Sequence, residues 1–192
     1  MNLIDKREIA RKFIHYTASL IPIIYYFLVE QKVALIILGI CSAVIVSAEL
    51  FRMINDTCYR LYMKIFGWMT RRHEHDRSFT GATYVFVGSF FTILLFPKEI
   101  AIISLLFLTV GDPTACLVGL SFGKIKILNK TLEGTLAFII VGFLVTVWVP
   151  GISLPIKALG AIIASLVELI PWKLDDNITI PVVTGFFIWM IL

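Results

Sequence analysis

The chain is organised around the stretch VGDPTACLVGLSFGKIK, residues 110–126, which begins inside a long apolar run and ends in a basic loop. Asp112 is the only charged residue between Glu99 and Lys124. A carboxylate in so apolar a run is costly unless it faces a protein-lined or wet cavity and has a partner. Pro113 removes a backbone donor and tends to kink or break a helix at this point. The stretch therefore predicts a membrane-embedded helix that carries a functional acid.

The residues that follow Asp112 indicate what this acid could act on. Ala115, Gly119 and Gly123 follow at helical spacing, so one face of the helix is small-sided and allows close approach of another group. The helix leads into a loop whose lysines suit phosphate groups as point charges, namely Lys124, Lys126 and Lys130. The order of acid, small face and basic loop predicts a metal–phosphate site at a membrane surface.

The composition is that of an integral membrane protein. Of the 192 residues, 59% are hydrophobic, whereas a soluble domain is about 45–50% apolar. The length leaves no room for a separate soluble domain, so we predict a single membrane domain over residues 1–192. The three cysteines include no CxxC pair, which argues against a disulfide framework or a zinc ribbon. No small-residue cleavage site follows the charged N-terminus, so we predict a retained first span.

Seven segments are apolar enough to cross a membrane, for which about 20 residues are needed. They lie at roughly residues 12–29, 33–52, 79–96, 99–122, 133–149, 154–170 and 176–192. Lys and Arg concentrate on the cytoplasmic side of membrane proteins. With the N-terminus inside, the external side holds only three such residues, Lys32, Lys98 and Lys157. The cytoplasmic side holds fourteen: Lys6, Arg7, Arg11, Lys12, Arg52, Arg60, Lys64, Arg71, Arg72, Arg77, Lys124, Lys126, Lys130 and Lys173.

This asymmetry predicts an all-α, polytopic membrane protein of about seven transmembrane helices, with the N-terminus inside and the C-terminus outside. The longest connection, residues 53–78, is amphipathic and predicts an interfacial helix around 57–72 on the cytoplasmic leaflet. This helix could anchor the protein to anionic lipid or shape the entry of a substrate. The charged motif His73-Glu74-His75 in the same connection lacks further ligands, and we interpret it as solvated rather than metal-binding.

Two motifs place charged residues at the cytoplasmic ends of the first two spans. In Glu8-x-x-Arg11-Lys12-x-x-His15, the spacing puts these side chains on one side of a helix. They form either a phosphate clamp that faces the site or a membrane anchor with a satisfied histidine. In Glu49-x-x-Arg52, the two side chains either contribute to the site or form a helix-end salt bridge.

Two further motifs flank the fifth and seventh spans. In Lys130-Thr131-x-Glu133, Thr131 suits an N-cap, and the helix N-terminus favours anions. The last motif brings three carboxylates and an amide to one membrane surface, namely Glu168, Asp175, Asp176 and Asn177. Such oxygen ligands suit Mg²⁺, which usually takes one or two carboxylates together with substrate phosphates. Either Asp175 or Asp176 could instead cap the last helix.

These motifs, in this order, resemble the CTP-dependent lipid kinase family. The family includes dolichol (polyprenol) kinase, phytol kinase and a CTP-dependent diacylglycerol kinase, and it is distantly similar to the phosphatidate cytidylyltransferases. The resemblance covers roughly residues 8–185. It rests on Glu8-x-x-Arg11-Lys12-x-x-His15, Glu49-x-x-Arg52, Gly111-Asp112-x-x-Ala115-x-x-x-Gly119-x-x-x-Gly123-Lys124, Lys130-Thr131-x-Glu133-Gly134-Thr135 and Glu168…Asp176-Asn177-x-x-x-Pro181.

The resemblance implies transfer of the terminal phosphate of CTP to a membrane lipid alcohol at the cytoplasmic leaflet. It assigns Asp112, with Glu133 or Asp176, to Mg²⁺ (or Mn²⁺ or Ca²⁺), and a carboxylate or His15 to the substrate hydroxyl. The expected nucleotide-binding residues are Arg11, Lys12, Gly119, Gly123, Lys124, Lys126, Lys130 and Thr131. The expected supporting residues are Glu8, Glu49, Arg52, Glu168 and Asn177. The preference for CTP comes from the resemblance alone.

The expected location is the cell membrane, with the active site on the cytoplasmic side. The expected partners are CTP, a lipid alcohol and membrane lipids but no nucleic acid, and an oligomer is left open. Polyprenol, phytol and diacylglycerol all remain candidate acceptors. One alternative is a cytidylyltransferase, which would attack the α-phosphate, but the chain lacks that group's C-terminal signature rich in Gly, Asp and Arg. A second alternative is an ion-coupled transporter, since membrane carboxylates also line ion pathways, but we find no inverted repeat.

Overall fold

The structure, a computed structural model, describes residues 6–68 and 78–192, with side chains from Glu8 onward. The helices in these two ranges are α1 Lys6–Thr17, α2 Leu20–Phe27, α3 Gln31–Ile54, α4 Asp56–Phe66, α5 Gly81–Leu95, α6 Lys98–Leu106, α7 Asp112–Phe122, α8 Leu132–Thr146, α9 Leu154–Leu169 and α10 Asp176–Ile191. Two-residue strands, β1 Lys126–Ile127 and β2 Lys130–Thr131, pair antiparallel between α7 and α8. The all-α prediction is confirmed, and the sequence analysis missed this small hairpin.

Helices occupy each of the seven segments that we predicted as spans. Within residues 6–68 and 78–192, two helices are long and apolar enough to cross a membrane, Gln31–Ile54 and Lys98–Phe122. The first predicted span is not one continuous helix, because α1 ends at Thr17 and α2 begins at Leu20. Large apolar side chains cover the outer faces of the helices, for example Phe13, Phe27 and Phe122, which are 66–70% exposed. Such a surface suits lipid rather than water, and the protein is a membrane protein.

The helix α6 lies at the centre of the fold. All its residues from Ile100 to Leu106 are buried, and it packs against α2, α5, α8, α9 and α10. A helix surrounded on all sides has no polar face, which explains why this segment lacks any amphipathic pattern. Because α6 continues toward α7, the central helix leads directly to Asp112, which is still buried.

The junction of α6 and α7 is a π-helical turn, Phe107–Gly111. The backbone N–H of Asp112 donates to the carbonyl of Phe107, five residues back. Pro113 has no N–H to offer an α-helical bond, and its ring would crowd the carbonyl four residues earlier. The wider turn relieves both problems, so the predicted break is instead a local widening within a continuous helix over Lys98–Phe122.

The helix α4 lies in the connection for which the sequence predicted an interfacial helix, although it is shorter than predicted. Its N-cap is Asn55, whose side chain accepts from the backbone N–H groups of Thr57 and Cys58. It ends at Phe66, whereas we predicted a helix around 57–72, and residues 69–72 and the motif at 73–75 lie outside the described residues. Leu61 and Ile65 are more than half exposed, so α4 presents an uncovered apolar face.

Candidate active site

A cavity of about 320 Å³ lies where α1, α7, α8, α9, α10 and the β1–β2 hairpin converge. Ten of the residues predicted for the site line it: Glu8, Lys12, His15, Asp112, Gly119, Lys130, Thr131, Glu168, Asp176 and Asn177. These residues come from four separate motifs, and the fold brings them to one place. Their charged members form two groups, which we call the inner and the outer ion cluster.

The inner ion cluster consists of Asp112, Lys12 and His15. Lys12 Nζ donates to Asp112 Oδ2 at 2.8 Å, and His15 Nδ1 lies 3.3 Å from the same oxygen. Both Lys12 and Asp112 are only 6% exposed. Because Lys12 and His15 are three residues apart on α1, one helical face delivers both to the carboxylate. Nearby, Tyr16 and Thr114 are hydrogen-bonded at 2.7 Å, which holds α1 against α7.

The outer ion cluster consists of Lys130, Glu168 and Asp176. Lys130 Nζ lies 2.7 Å from Glu168 Oε1 and 3.2 Å from Asp176 Oδ2, and it also donates to the backbone carbonyl of Glu168. Burial lowers the pKa of Lys130, but the carboxylates of Glu168 and Asp176 more than offset this, so the pKa is raised overall. Lys130 therefore stays cationic throughout the physiological range and links β2 to α9 and α10.

Two alternatives from the sequence are resolved by the helix caps. Asp175 caps α10, because its Oδ1 accepts from the backbone N–H of Asn177 at 3.0 Å. Asp176 is therefore free of the capping role and pairs with Lys130 in the cavity. Thr131 caps α8, since its Oγ1 accepts from the N–H of Gly134 at 3.2 Å, and it also lines the cavity. Two helix N-termini thus open toward this cavity, where they favour anions.

The predicted small face of α7 allows α8 to approach closely. A Cβ at Gly119 would lie 2.7 Å from Thr131 Oγ1, and a Cβ at Gly134 would lie 2.6 Å from the carbonyl oxygen of Ala115. Both distances are shorter than a Cβ can tolerate, so glycine is required at each position. Gly123 also packs on Thr131 but does not line the cavity. The small residues therefore act as packing positions that shape one cavity wall.

Some predicted residues lie outside the cavity. The carboxylate of Glu133 accepts from the backbone N–H groups of Lys124 at 3.0 Å and Ile125 at 3.2 Å, and it does not line the cavity. Lys124 and Lys126 are exposed and also do not line it. Arg11 forms an ion pair with Glu8 on α1, of which only Glu8 reaches the cavity. Glu133 therefore holds the loop after α7 in place, a role that the motif alone did not reveal.

Glu49 and Arg52 form a separate buried cluster, which ties together α3, α4 and the start of α5. Arg52 Nε donates to Glu49 Oε2 at 3.0 Å, as the salt-bridge alternative predicted, and Thr80 Oγ1 donates to Glu49 Oε1 at 2.8 Å. Arg52 also donates to the carbonyl of Ser78 at 2.8 Å, and its guanidinium carbon lies 4.5 Å above the ring of Tyr62. We call this group the bracing cluster, because its members contact one another rather than the cavity.

The side chains that line the cavity can be compared with the ligands that a metal ion needs. Among residues 6–68 and 78–192, no three His, Cys, Asp or Glu side chains are grouped as a preformed metal site. Mg²⁺ does not require one, because it usually binds one or two carboxylates, several waters and substrate phosphates. Carboxylates of both ion clusters and the amide of Asn177 line the same cavity. The residues therefore fit an Mg²⁺ ion that binds together with a phosphorylated substrate.

Sequence reasoning did not select four polar residues of the cavity wall. Cys116 follows Asp112 by one helical turn, and its Sγ donates to Glu8 Oε1 at 3.7 Å, so helical spacing alone could have found it. Thr135 follows Thr131 by the same spacing, and Asp175 was considered only as a metal ligand or a cap. Asn129 lies in the hairpin turn, which no sequence signal predicted.

Comparisons with known proteins find relatives that match nearly all or part of this chain. It is 27% identical to the CTP-dependent diacylglycerol kinase 1 of Schizosaccharomyces pombe, over 97% of this chain and 94% of that protein. It is 30% identical to an uncharacterised protein of Methanocaldococcus jannaschii, over 95% of this chain and 93% of that one. It is 29% identical to a probable chloroplastic phytol kinase of Glycine max, over 60% of this chain and 45% of that protein.

No family model matches the chain, and no solved structure matches it. The similarity to the diacylglycerol kinase nevertheless runs over almost the full length of both proteins. It therefore includes every motif that lines the cavity, from Glu8 to Asn177. The resemblance inferred from the motifs is confirmed, because the chain is similar over nearly its whole length to a CTP-dependent diacylglycerol kinase and over part of it to a probable phytol kinase.

Proposed function

We propose that this protein transfers the γ-phosphate of CTP to the hydroxyl group of a membrane lipid alcohol. The observation that carries the proposal is the single cavity in which a buried Asp112, held by Lys12 and His15, faces the same space as Lys130. Phosphoryl transfer depends mainly on positioning and on neutralising phosphate charge. A cavity in a membrane protein that is lined by the buried Lys12, the partly buried Lys130 and two helix N-termini meets both needs.

The cations near the cavity would act on the triphosphate in different ways. Lys12 and Lys130 lie in the cavity wall and would contact phosphate oxygens directly. The exposed Lys124 and Lys126 would instead raise the positive potential around the entrance and attract the anionic nucleotide. Arg11, paired with Glu8, would orient that carboxylate at the rim of the cavity.

Asp112 and Asp176 are the residues we assign to Mg²⁺, which would neutralise charge on the phosphates. They belong to different ion clusters, and both carboxylates line the same cavity. Glu168 and Asn177 would orient these ligands from the same wall. Glu133 has no support for the metal role, because its carboxylate is engaged by the loop amides.

The reaction follows from this arrangement. The hydroxyl oxygen of the lipid forms a bond to the γ-phosphorus, while the bond from that phosphorus to the β,γ-bridging oxygen breaks. The bridging oxygen keeps the electron pair and leaves as part of CDP. The hydroxyl proton passes to a base in the inner ion cluster, which is either a carboxylate or His15. The products are a lipid phosphate, CDP and a proton.

The same proposal sets the position of the protein in the membrane. We propose one membrane domain with seven spans, formed by α1 with α2, α3, α5, α6 with α7, α8, α9 and α10, with the N-terminus inside. The uneven distribution of Lys and Arg supports a cytoplasmic cavity. Asp112 lies ten residues before the end of α7 at Phe122, which is roughly 15 Å along a helix. A lipid that enters from the cytoplasmic leaflet could therefore bring its hydroxyl to the inner ion cluster.

A product assay tests the function. Purified protein in detergent with Mg²⁺ would receive CTP labelled at the γ-phosphate or, separately, at the α-phosphate. The acceptors would be diacylglycerol, phytol, a polyprenol and phosphatidate. We expect label to move from the γ position to one of the alcohols, which would also identify the acceptor class. Transfer from the α position to phosphatidate would indicate a cytidylyltransferase, and no transfer at all would favour ion transport.

A further inference from the structure

A second cavity, of about 210 Å³, adjoins the candidate active site. The two cavities share Asn129, Lys130, Asp175 and Asp176, so they lie on either side of the same residues. The second cavity adds mainly apolar residues from the end of α9 and the loop at 169–174, which includes Trp172. The outer ion cluster therefore lies between a charged chamber on one side and an apolar, aromatic chamber on the other.

Trp172 is fixed in orientation and still accessible. Its indole N–H donates to the carbonyl of Val167 at 2.9 Å, and its backbone N–H donates to the carbonyl of Ile170 at 2.9 Å. These two bonds hold the ring against the end of α9, while 46% of the residue stays exposed. A flat aromatic ring with a fixed orientation and an open surface is a suitable platform for a nucleobase.

The two chambers lie at different depths. Asp112 is ten residues inside α7, whereas Trp172 lies in the loop beyond the end of α9 and before α10. A lipid hydroxyl arrives from the membrane side, and a nucleotide arrives from water. Because Lys130 contacts both chambers, a triphosphate bound at Lys130 would extend toward Asp112 with its γ-phosphate and toward Trp172 with its nucleoside.

We propose that the second cavity binds the pyrimidine base and ribose of the nucleoside triphosphate, with Trp172 stacking on the base and Asn129 contacting its edge. This inference rests on the proposed function and adds the location of the donor's base. An Asn side chain offers one hydrogen-bond acceptor and a donor group side by side. The N4 amino group and the N3 atom of cytosine present the complementary donor and acceptor.

The hairpin that carries Asn129 also supports this assignment. Leu128 has a positive φ of 54°, a conformation that is uncommon for residues other than glycine. Such strained residues cluster at ligand-binding sites, where the surrounding structure holds them in place. Here the turn sets Asn129 directly before Lys130, so base recognition and phosphate binding are delivered by one two-stranded hairpin.

Steady-state kinetics of the full-length protein test the proposal. In Trp172→Ala we expect the KM for CTP to rise roughly tenfold, from the loss of base stacking, with the KM for the lipid unchanged. In Trp172→Phe a ring is retained, and the KM for CTP should stay within about threefold of wild type. Trp189→Ala is the matched control, because Trp189 is 54% exposed and lies at the opposite end of α10. We expect it to leave the KM for CTP unchanged.

The main competing role for Trp172 is that of a membrane-interface anchor. If Trp172 is an anchor, its loss should raise the KM for the lipid, or Trp172→Ala and Trp189→Ala should change the kinetics to the same extent. Either outcome would overturn the nucleobase assignment. An unchanged KM for CTP in Trp172→Ala would do the same. If that variant is normal while the wild type still phosphorylates lipid from CTP, the subsite is wrong but the proposed function stands.

A fluorescence binding measurement tests the same assignment without requiring catalytic turnover. Stacking of a base on an indole quenches its fluorescence, so CTP should quench the wild type and Trp189→Phe but not Trp172→Phe. Inorganic triphosphate, which has no base, should bind without this quenching. Equal quenching of all three proteins by CTP would overturn the assignment even if no phosphate transfer is detected. Asn129→Ala should reduce the preference for CTP over ATP, and an unchanged preference would exclude its contact with the base edge.

Discussion

The inner ion cluster and the bracing cluster are alike in composition and differ in their surroundings. Each places a carboxylate against a cation within packed helices, and Asp112 and Glu49 are 6% and 8% exposed. In the bracing cluster, Glu49 and Arg52 lie on one helix and their remaining bonds go to Thr80 and Ser78. In the inner cluster, Lys12 reaches Asp112 from 100 residues away, and the pair opens onto a cavity.

Buried charges in a membrane protein can be distinguished by what surrounds them. A carboxylate whose partners surround it completely contributes to the structure, because nothing else can reach it. A carboxylate that is paired but faces a cavity can exchange its partner for a substrate or a metal ion. What separates the two cases is access to a substrate or metal ion, rather than burial itself. Variants of each cluster should therefore differ in their effects on activity and stability.

Asp112→Asn should show the largest effect on activity. The amide keeps the size of the side chain but removes the charge that holds Lys12 and would hold Mg²⁺, so we expect roughly a 10³-fold loss of phosphate transfer. The measurement is γ-phosphate transfer from CTP, with the melting temperature in detergent as the test of folding. Near-wild-type activity of a folded Asp112→Asn would refute the assignment of the inner cluster to the chemistry.

Arg52→Leu should show the opposite profile. Removing one partner of a buried ion pair leaves Glu49 uncompensated, and we expect a loss of about 3 kcal/mol in the free energy of unfolding. Activity per folded molecule should stay close to wild type, because the bracing cluster does not line the cavity. The measurement is denaturant unfolding in detergent, and the control is Arg60→Leu, since Arg60 is exposed on α4. A large fall in activity with unchanged stability would place Arg52 in the site.

Lys130→Gln probes the outer ion cluster. The variant loses a charge-assisted contact to phosphate, so we expect kcat/KM for CTP to fall roughly 10- to 100-fold. Lys126→Gln is the matched control, because Lys126 lies in the same hairpin but is exposed outside the cavity. Equal effects of the two variants would mean that general positive potential, rather than contact at Lys130, binds the nucleotide.

Glu133→Gln should have the smallest effect. Its carboxylate accepts from two loop amides, and the amide oxygen of Gln can still accept from them. We expect less than about a threefold rise in the KM for CTP and an unchanged dependence on Mg²⁺. A loss of activity as large as that of Asp112→Asn, with a shifted Mg²⁺ dependence, would restore Glu133 to the metal site.

The sequence predicted the parts of the fold that depend on hydrophobic runs. All seven apolar segments are helical, because the length of an apolar run is a strong signal for a helix. The break between α1 and α2 was missed, since Ala18 and Ser19 carry no strong helix-breaking signal. The β1–β2 hairpin was missed for a similar reason, because its turn uses Leu128 and Asn129 rather than the usual glycine.

The sequence predicted which motifs converge but not which member of each motif faces the cavity. Lys130 and Lys124 were equivalent as basic loop residues, and only the pairing with Glu168 and Asp176 separates them. Glu133 and Asp176 were equivalent as candidate metal ligands in the sequence, but the carboxylate of Glu133 accepts from a backbone N–H of the loop instead. Such choices depend on contacts between distant segments, which periodicity and composition do not encode. Trp172 was overlooked because an aromatic residue near a membrane surface is expected there for other reasons.

The π-helical turn at Phe107–Gly111 sets the rotational phase of α7 relative to α6. Each residue of an α-helix advances the chain by roughly 100°. Deleting one residue from this turn would therefore leave a continuous helix and an intact α6 but swing Asp112 away from Lys12. The number of residues between the central helix and its carboxylate is thus itself a functional constraint. Insertions and deletions at this junction should be excluded from active members of the family even where substitutions are tolerated.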